Sequence, residues 1–559
     1  MKLLLKHIFF CLTLSFSYGQ KAFEDVTAES GIDHLFDIYQ GLFGGGVTAF
    51  DYNNDGFEDL FITGGKSQDI LYRNNGDKTF TDVTKLANLT KENFNVTVGV
   101  VSSDVNKDGF IDLFLSTIAT RKNGEIGLSS NILYRNNGDG TFTDVTKEYK
   151  LTKTNFSTSA SFGDINADGY PDLFVGNYFK DFYFQERLTS NLAILNHYTI
   201  NEDYEPAYDE LYLNVEGKYF KNISDKIDVG PGYGFGGVFT DIDNDNDLDL
   251  YIINDFGEQN IPNQLLVNQY PKLEFINESK KLKIDFPLKS MGVAVGDYNN
   301  DNYLDYHITN IFAGPFIVNR GKNKPFINLS RNIGTGLNRS KGIYGYPEAI
   351  IGWGSIFLDY DNDTDLDLFN ANGPINPLLD LMYNTLFENK GRVFTLNEKS
   401  GIEDFGIARG TAHFDYDNDG DQDIFIVNQR PVYDLAGKGG TTKSILYKNT
   451  NDNGNNWLKV KLVGKESTSR GLGARIKVIS DDLKMIREVD GGSSHASQNS
   501  SIIHFGLGQN KNIDSLIISW PNGKTQFLKN LKSNQLIEVK ESKDRGSFLN
   551  KIINSFKID

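Results

Sequence analysis

Seven nine-residue segments hold the side chains whose types and spacing could do chemistry. Each has an acid at positions 1, 5 and 9, Asp or Asn at position 3, and in most copies Gly at position 6. The candidate ligands are Asp51, Asn53, Asp55 and Asp59; Asp104, Asn106, Asp108 and Asp112; Asp164, Asn166, Asp168 and Asp172; and Asp241, Asp243, Asp245 and Asp249. The remaining sets are Asp297, Asn299, Asp301 and Asp305; Asp359, Asp361, Asp363 and Asp367; and Asp415, Asp417, Asp419 and Asp423. Side chains at 1, 3 and 5 converge on one point if the backbone curls round it. Position 7 offers a carbonyl and position 9 closes the ring. An all-oxygen cage of about six to eight ligands suits Ca²⁺ better than Mg²⁺. The spacing therefore predicts about seven calcium ions, one per repeat.

An EF-hand opens in the same way but closes with Glu at position 12 between helices. Here an apolar, strand-like run follows at once, as in Leu60-Phe-Ile62 and Leu250-Tyr-Ile-Ile253. Position 6 must turn left-handed, which Gly does freely and Asn246 and Asn302 tolerate; Thr364 is expected to be strained. The chain has 559 residues and a formal charge of −18, much of it in these loops. Seven divalent cations would offset most of that charge, whereas unneutralised carboxylates would repel one another within every repeat. So acidic a surface also argues against nucleic-acid binding.

Two further patterns recur in step. One is a strand ending in Asn, seen at Leu71–Asn74, Leu133–Asn136, Leu211–Asn214, Leu265–Asn268, Phe316–Asn319, Leu386–Asn389 and Leu446–Asn449. The other opens with Phe, at Phe23, Phe80, Phe142, Phe220, Phe275, Phe326 and Phe394. Asn75-Gly-Asp and Asn137-Gly-Asp join them as hairpin turns. Each unit then reads as four antiparallel strands, and seven units make an all-β, seven-bladed propeller over residues 21–450. The chain starts on a fourth-strand pattern and the last unit has only three strands. The N-terminal strand is therefore expected to complete the last blade. Residues 455–541 form a second, small β-rich domain, and 542–559 a tail with helical apolar spacing.

The repeats resemble the FG-GAP or VCBS repeats of integrin α-like propellers, a resemblance that implies calcium at the Asp and Asn positions above. The second domain resembles ASPIC/UnbV through Asn456-Trp-Leu458, Gly471-Leu-Gly-Ala-Arg475, Ser497-Gln-Asn499, Phe505-Gly-Leu-Gly508 and Trp520-Pro-Asn-Gly523. The combination is similar to the cartilage acidic protein family, which fixes architecture more than activity.

Residues 1–20 read as a secretory signal: Lys2 and Lys6, an apolar run from Ile8 to Phe16, then Ser17-Tyr-Gly19. No later segment is apolar enough to span a membrane. The only cysteine, Cys11, lies in the leader, so disulfides and thiolate sites are excluded from the mature chain. No HExxH, GxSxG, P-loop or dinucleotide fingerprint is present. His307 and His413 flank loops and read as structural; His495, in a polar loop, is the histidine to test. Recognition is expected on the variable strand 2–3 loops, the longest at about 178–208, where Tyr178, Phe182 and Tyr183 are candidate ligand residues. Two readings stay open. One is a secreted calcium-binding or adhesion protein taking an extracellular protein or glycan. The other is a calcium-dependent enzyme with a site in the central pocket or at the junction with the second domain.

Overall fold

A computed structural model describes residues 21–542 except 39–41, 92–93, 123–124, 182–204, 337–338, 342–346, 375–381, 403 and 431–442. Phe182, Tyr183 and nearly all of the tail lie outside the described residues.

Each repeat folds as an antiparallel sheet built on four strands, the second with a short fifth, Glu125–Gly127. In the first, Val47–Phe50, Asp59–Ile62, Ile70–Asn74 and Phe80–Asp82 pair in that order. The Asp-rich loop joins the first two strands and the Asn75-Gly76 turn the last two. Six more sheets follow the plan, with inner strands Phe94–Ser103, Ser157–Gly163, Tyr233–Thr240, Val293–Gly296, Gly352–Leu358 and Ala408–Phe414. The seventh takes its outer strand from the chain start: Phe23–Asp25 pairs with Ile445–Asn449, Phe23 opposite Asn449. Phe23 is fully buried.

A circular relay of hydrogen bonds joins the sheets. The Asn that ends each third strand donates its Nδ2 to the position-2 carbonyl of the preceding blade's loop. Asn74 reaches Tyr416, Asn136 Tyr52, Asn214 Val105, Asn268 Ile165, Asn319 Ile242, Asn389 Tyr298 and Asn449 Tyr360, all at 2.7–3.0 Å. The seven bonds run once round and return to the start. All seven asparagines are buried, so each bond forms away from competing water.

The second domain has two sheets. In the smaller, Ile503–Gly508, Asn456–Val463 and Gln535–Lys540 lie side by side, the last pair parallel. In the larger, the order is Leu483–Glu488, Arg475–Ser480, Asn512–Ser519, Thr525–Lys532. Alternate residues face inward, so Leu458, Val460 and Leu462 join Ile476, Val478 and Ile518 in one core. That core continues without a break into Val101, Val105, Phe114 and Phe162 of the propeller. Two domains that share apolar packing of this kind behave as one body.

Candidate metal centres and the face that covers them

Every Asp-rich loop is wound by the same hydrogen bonds. The position-1 carboxylate accepts the backbone N–H groups of positions 5 and 6 at 2.8–3.1 Å. Position 5 accepts the N–H of position 7 at 2.9–3.2 Å. Position 9, the first residue of the second strand, accepts the N–H of the third-strand Asn at 2.7–2.8 Å. Each carboxylate oxygen has a second lone pair, so these bonds fix direction and leave capacity free.

The curl needs left-handed backbone twice. Position 6 has φ of +70° to +95° in all seven loops, Thr364 (+93°) included. A β-branched residue there is strained, in line with the expectation from sequence. Position 4 is also left-handed, between +54° and +63°, even where Lys107 and Ala167 stand in place of Asn.

The candidate ligands of each loop are brought together. In three loops, carboxylate oxygens of positions 1, 3 and 9 lie within 4.8 Å of one another: Asp241, Asp243 and Asp249; Asp359, Asp361 and Asp367; Asp415, Asp417 and Asp423. The other four have Asn at position 3. The buried Oδ1 atoms of Asp243, Asp361 and Asp417 have no hydrogen-bond partner, nor does Oδ2 of Asp305. Orphaned buried oxygens within an all-oxygen donor set suit a hard cation. Burial pushes the carboxyls up: Asp164 and Asp361 to about 7, Asp241 and Asp297 to about 6, and all seven position-9 residues well above the usual range. Packing that so disfavours the anions is offset by a cation among them. Asp417 is the exception, held below the usual range, against its own burial, by Lys448 and Lys78.

The second domain sits on the loop side and touches every loop. Lys461 Nζ is 3.7 Å from Asp51, and Lys107 Nζ donates to the Glu466 carbonyl at 3.1 Å. The Cβ that Gly169 lacks would fall 1.9 Å from that same carbonyl. Arg475 lies 3.4 Å from Asp241 and 2.8 Å from Glu488. The buried Arg487 guanidinium acts on Asp297 and Asp359. Lys459 Nζ is 2.7 Å from Asp415. None of these five cations was singled out from sequence as a functional charge. Arg475 fell within a quoted motif, which gave no hint that it reaches a loop 234 residues away.

A loop of this domain, residues 491–500, enters the centre of the wheel and bonds to the inner strands. The Gly491 carbonyl accepts from Phe162 N at 2.8 Å, Ser494 exchanges bonds with Val293 at 2.7 and 3.1 Å, and the Ala496 carbonyl accepts from Val100 N at 3.1 Å. Gln498 N donates to Val47 O at 3.0 Å and Ser500 N to His413 O at 3.2 Å. His495 therefore has a different place from the one expected. It is 2% exposed, its Nδ1 donates to the Met291 carbonyl at 2.7 Å, and its ring packs on Trp353 and Phe235. Burial pushes it down to about 3, so it stays neutral. Tyr178 is likewise corrected from surface ligand residue to core: it is 2% exposed, donates to Asp255 at 2.6 Å and packs among Phe43, Phe156 and Phe235. His307 is buried and bonded to Ser355, and His413 is half-buried and bonded to Gln422; both are structural.

These features define a class: a β-propeller with Asp-rich loops, closed on its loop side by its own C-terminal domain. Comparison with known proteins gives the same parts. Residues 51–115 and 104–175 match the FG-GAP-like repeat, and residues 464–546 match the domain described as ASPIC and UnbV. In its parts the chain is similar to FG-GAP-like repeat and ASPIC/UnbV proteins, and in sequence to cartilage acidic protein 1. It is 29% identical to that protein of Xenopus tropicalis over 248 residues, 42% of this chain and 34% of the relative. It is 24% identical to the Mus musculus protein over 306 residues, 52% and 43% of the two chains. The chain thus spans less than half the length of these relatives. Among solved structures, an Agrocybe aegerita lectin recognising non-reducing terminal N-acetylglucosamine aligns with 64% of this chain and 81% of its own, at 14% identity and a TM-score of 0.38.

Proposed function

We propose that this is a secreted calcium-binding propeller that recognises an extracellular protein or glycan, as in adhesion, through the face opposite its Asp-rich loops. One observation carries the choice of face: the C-terminal domain covers the loop side and fills the centre, leaving the strand 2–3 connections as the open rim. Three of those connections present exposed aromatics, Tyr208 (63% exposed), Phe312 (64%) and Tyr383 (37%). Exposed aromatics on loops held by a rigid scaffold are the usual anchors of recognition. Phe312 also has φ of +73°, a strained conformation for a bulky residue and of the sort that gathers at binding sites.

Calcium is the cation best suited to the loops. The residues that would hold it are those at positions 1, 3, 5 and 9, with the carbonyl at 7. Bound there, it would neutralise the buried carboxylates and lock the curl. Among the described residues no helix is long and apolar enough to cross a membrane. The enzyme reading would need room at the domain junction. The cavity lined by His413, His504, Arg487, Glu488 and Asp490 is about 80 Å³, well below the roughly 300 Å³ at which ligand pockets usually begin; a more open one of about 370 Å³ borders Asp361, Glu388 and Asn453 at the edge of the junction.

The test is a glycan and surface-protein array probed with the calcium-loaded chain and with a Tyr208→Ala, Phe312→Ala, Tyr383→Ala variant. Binding that the triple variant loses supports the proposal. Retained binding, or turnover on a hydrolase panel with no binding, would reject it.

A further inference from the structure

The seven loops are alike in backbone but not in the charges around them. At the seventh, every one of the first three ligand positions is met by lysine. Lys459 Nζ lies 2.7 Å from Asp415 Oδ2 and 3.0 Å from Asn418 Oδ1, with both side chains of the ion pair 4% exposed. Lys448 bonds Asp417 and, at 2.9 Å, Asp419. Lys78, from the first blade, adds a contact of 3.2 Å to Asp417. No other loop is treated in this way among the described residues. Asp51 has one lysine at 3.7 Å, Asp241 and Asp243 have Arg475 and Lys322 at 3.4 and 3.5 Å, and the ligand positions of the other four loops make no ion pair.

We propose that the charge of the seventh loop is balanced by these three ammonium groups in place of a calcium ion, with Asp417 Oδ1 left unpartnered, so that the wheel carries six ions and one internal lysine clasp. The inference rests on the calcium reading of the loops and narrows it. Calcium binds oxygens at about 2.3–2.6 Å and needs several at once. To enter here it would have to displace ammonium groups already hydrogen-bonded to those oxygens, then sit beside like charges at a site whose inner carboxylates, Asp415 and Asp417, are buried. Asp417 is 1% exposed in its side chain and is sealed by Lys448 and Lys78. The sixth loop is the counter-case. Where the third strand of the last blade has Lys448, that of the sixth has Glu388, whose charge acts on Asp361. Neighbouring loops of the same backbone are thus set to opposite preferences by one strand position. Lys459 comes from the C-terminal domain, so the clasp also ties that domain to the blade that closes the ring.

The experiment counts bound calcium per chain by elemental analysis after gel filtration in excess calcium. Wild type should hold six, Asp361→Ala five, and Asp417→Ala still six. A fall in the count for Asp417→Ala, or seven ions in wild type, would overturn the assignment. Lys448→Met with Lys459→Met should raise the count to seven, and an unchanged count in the folded double variant would also overturn it. Should that variant not fold, the two Asp→Ala chains decide alone. Wild type with no calcium at all would refute the calcium reading itself, a result distinct from a seventh ion.

Discussion

Calcium removal should cost this protein more stability as the pH rises. The sign follows from the carboxyls. In the metal-free fold, burial raises Asp241 and Asp297 to about 6 and Asp164 and Asp361 to about 7, against about 4 in the unfolded chain. Between pH 4 and 7 the folded chain without metal therefore binds more protons than the unfolded one. Its stability is greatest at the acid end and falls as pH rises through that window. The calcium-loaded protein runs the other way, because protons displace the ion as pH falls. Each ion at a hundred times its dissociation constant contributes about 2.7 kcal/mol. Two such sites would already match the low end of the roughly 5–15 kcal/mol by which a domain is stable. The assay is thermal unfolding at pH 5, 6, 7 and 8, with millimolar calcium and with chelator. The gap between the two melting temperatures should be small at pH 5 and widen at each step. Coincident melts at pH 8, or a gap of the same size at every pH, would refute the reasoning.

Other expectations follow from single positions. Thr364→Gly removes a β-branched side chain from φ +93° and should stabilise the protein by about 1 kcal/mol in a denaturant melt. Asn136→Ala takes donors from the buried Tyr52 and Ile111 carbonyls and an acceptor from Gly138 N, and should cost about 3 kcal/mol by the same measurement. Gly491→Ala would place a Cβ 1.7 Å from the Phe162 carbonyl, so the central loop should be forced out. Limited proteolysis should then cut near residues 450–455, where wild type resists. His495→Ala should leave ligand binding on the arrays unchanged while lowering the melting temperature, since the ring packs and does not face solvent.

The loops and strand order were legible because their signal is local and repeated: a ligand every second residue, a turn, an apolar run. Seven copies supply what one short motif lacks. The Asn that ends each third strand was visible as a pattern, but its task was not. Its partner is a main-chain carbonyl of the blade before, a class of atom that every residue carries. The left-handed turn at Lys107 and Ala167 was hidden for a related reason: neither residue favours it, and the loop's other bonds impose it. The central loop bonds chiefly through backbone, so a polar run around His495 read as surface. Tyr178 misled in the opposite sense, its aromatic neighbours suggesting a recognition patch where the fold needed a core. Strands Leu483–Glu488 and Thr525–Lys532 are hard to read from sequence because charged and polar residues interrupt their apolar alternation.

The borrowed outer strand of the seventh blade gives the wheel a seam. Three residues at the start of the chain meet partners more than 400 residues later, and joining ends so far apart costs about 5 kcal/mol of chain freedom. Every other sheet can assemble as soon as its own stretch of chain is available. This one must wait for nearly the whole propeller, and until then Ile445–Asn449 offers an unpaired edge to any passing strand. Folding should thus end where the chain began, and under load or heat the same junction should be the first to part.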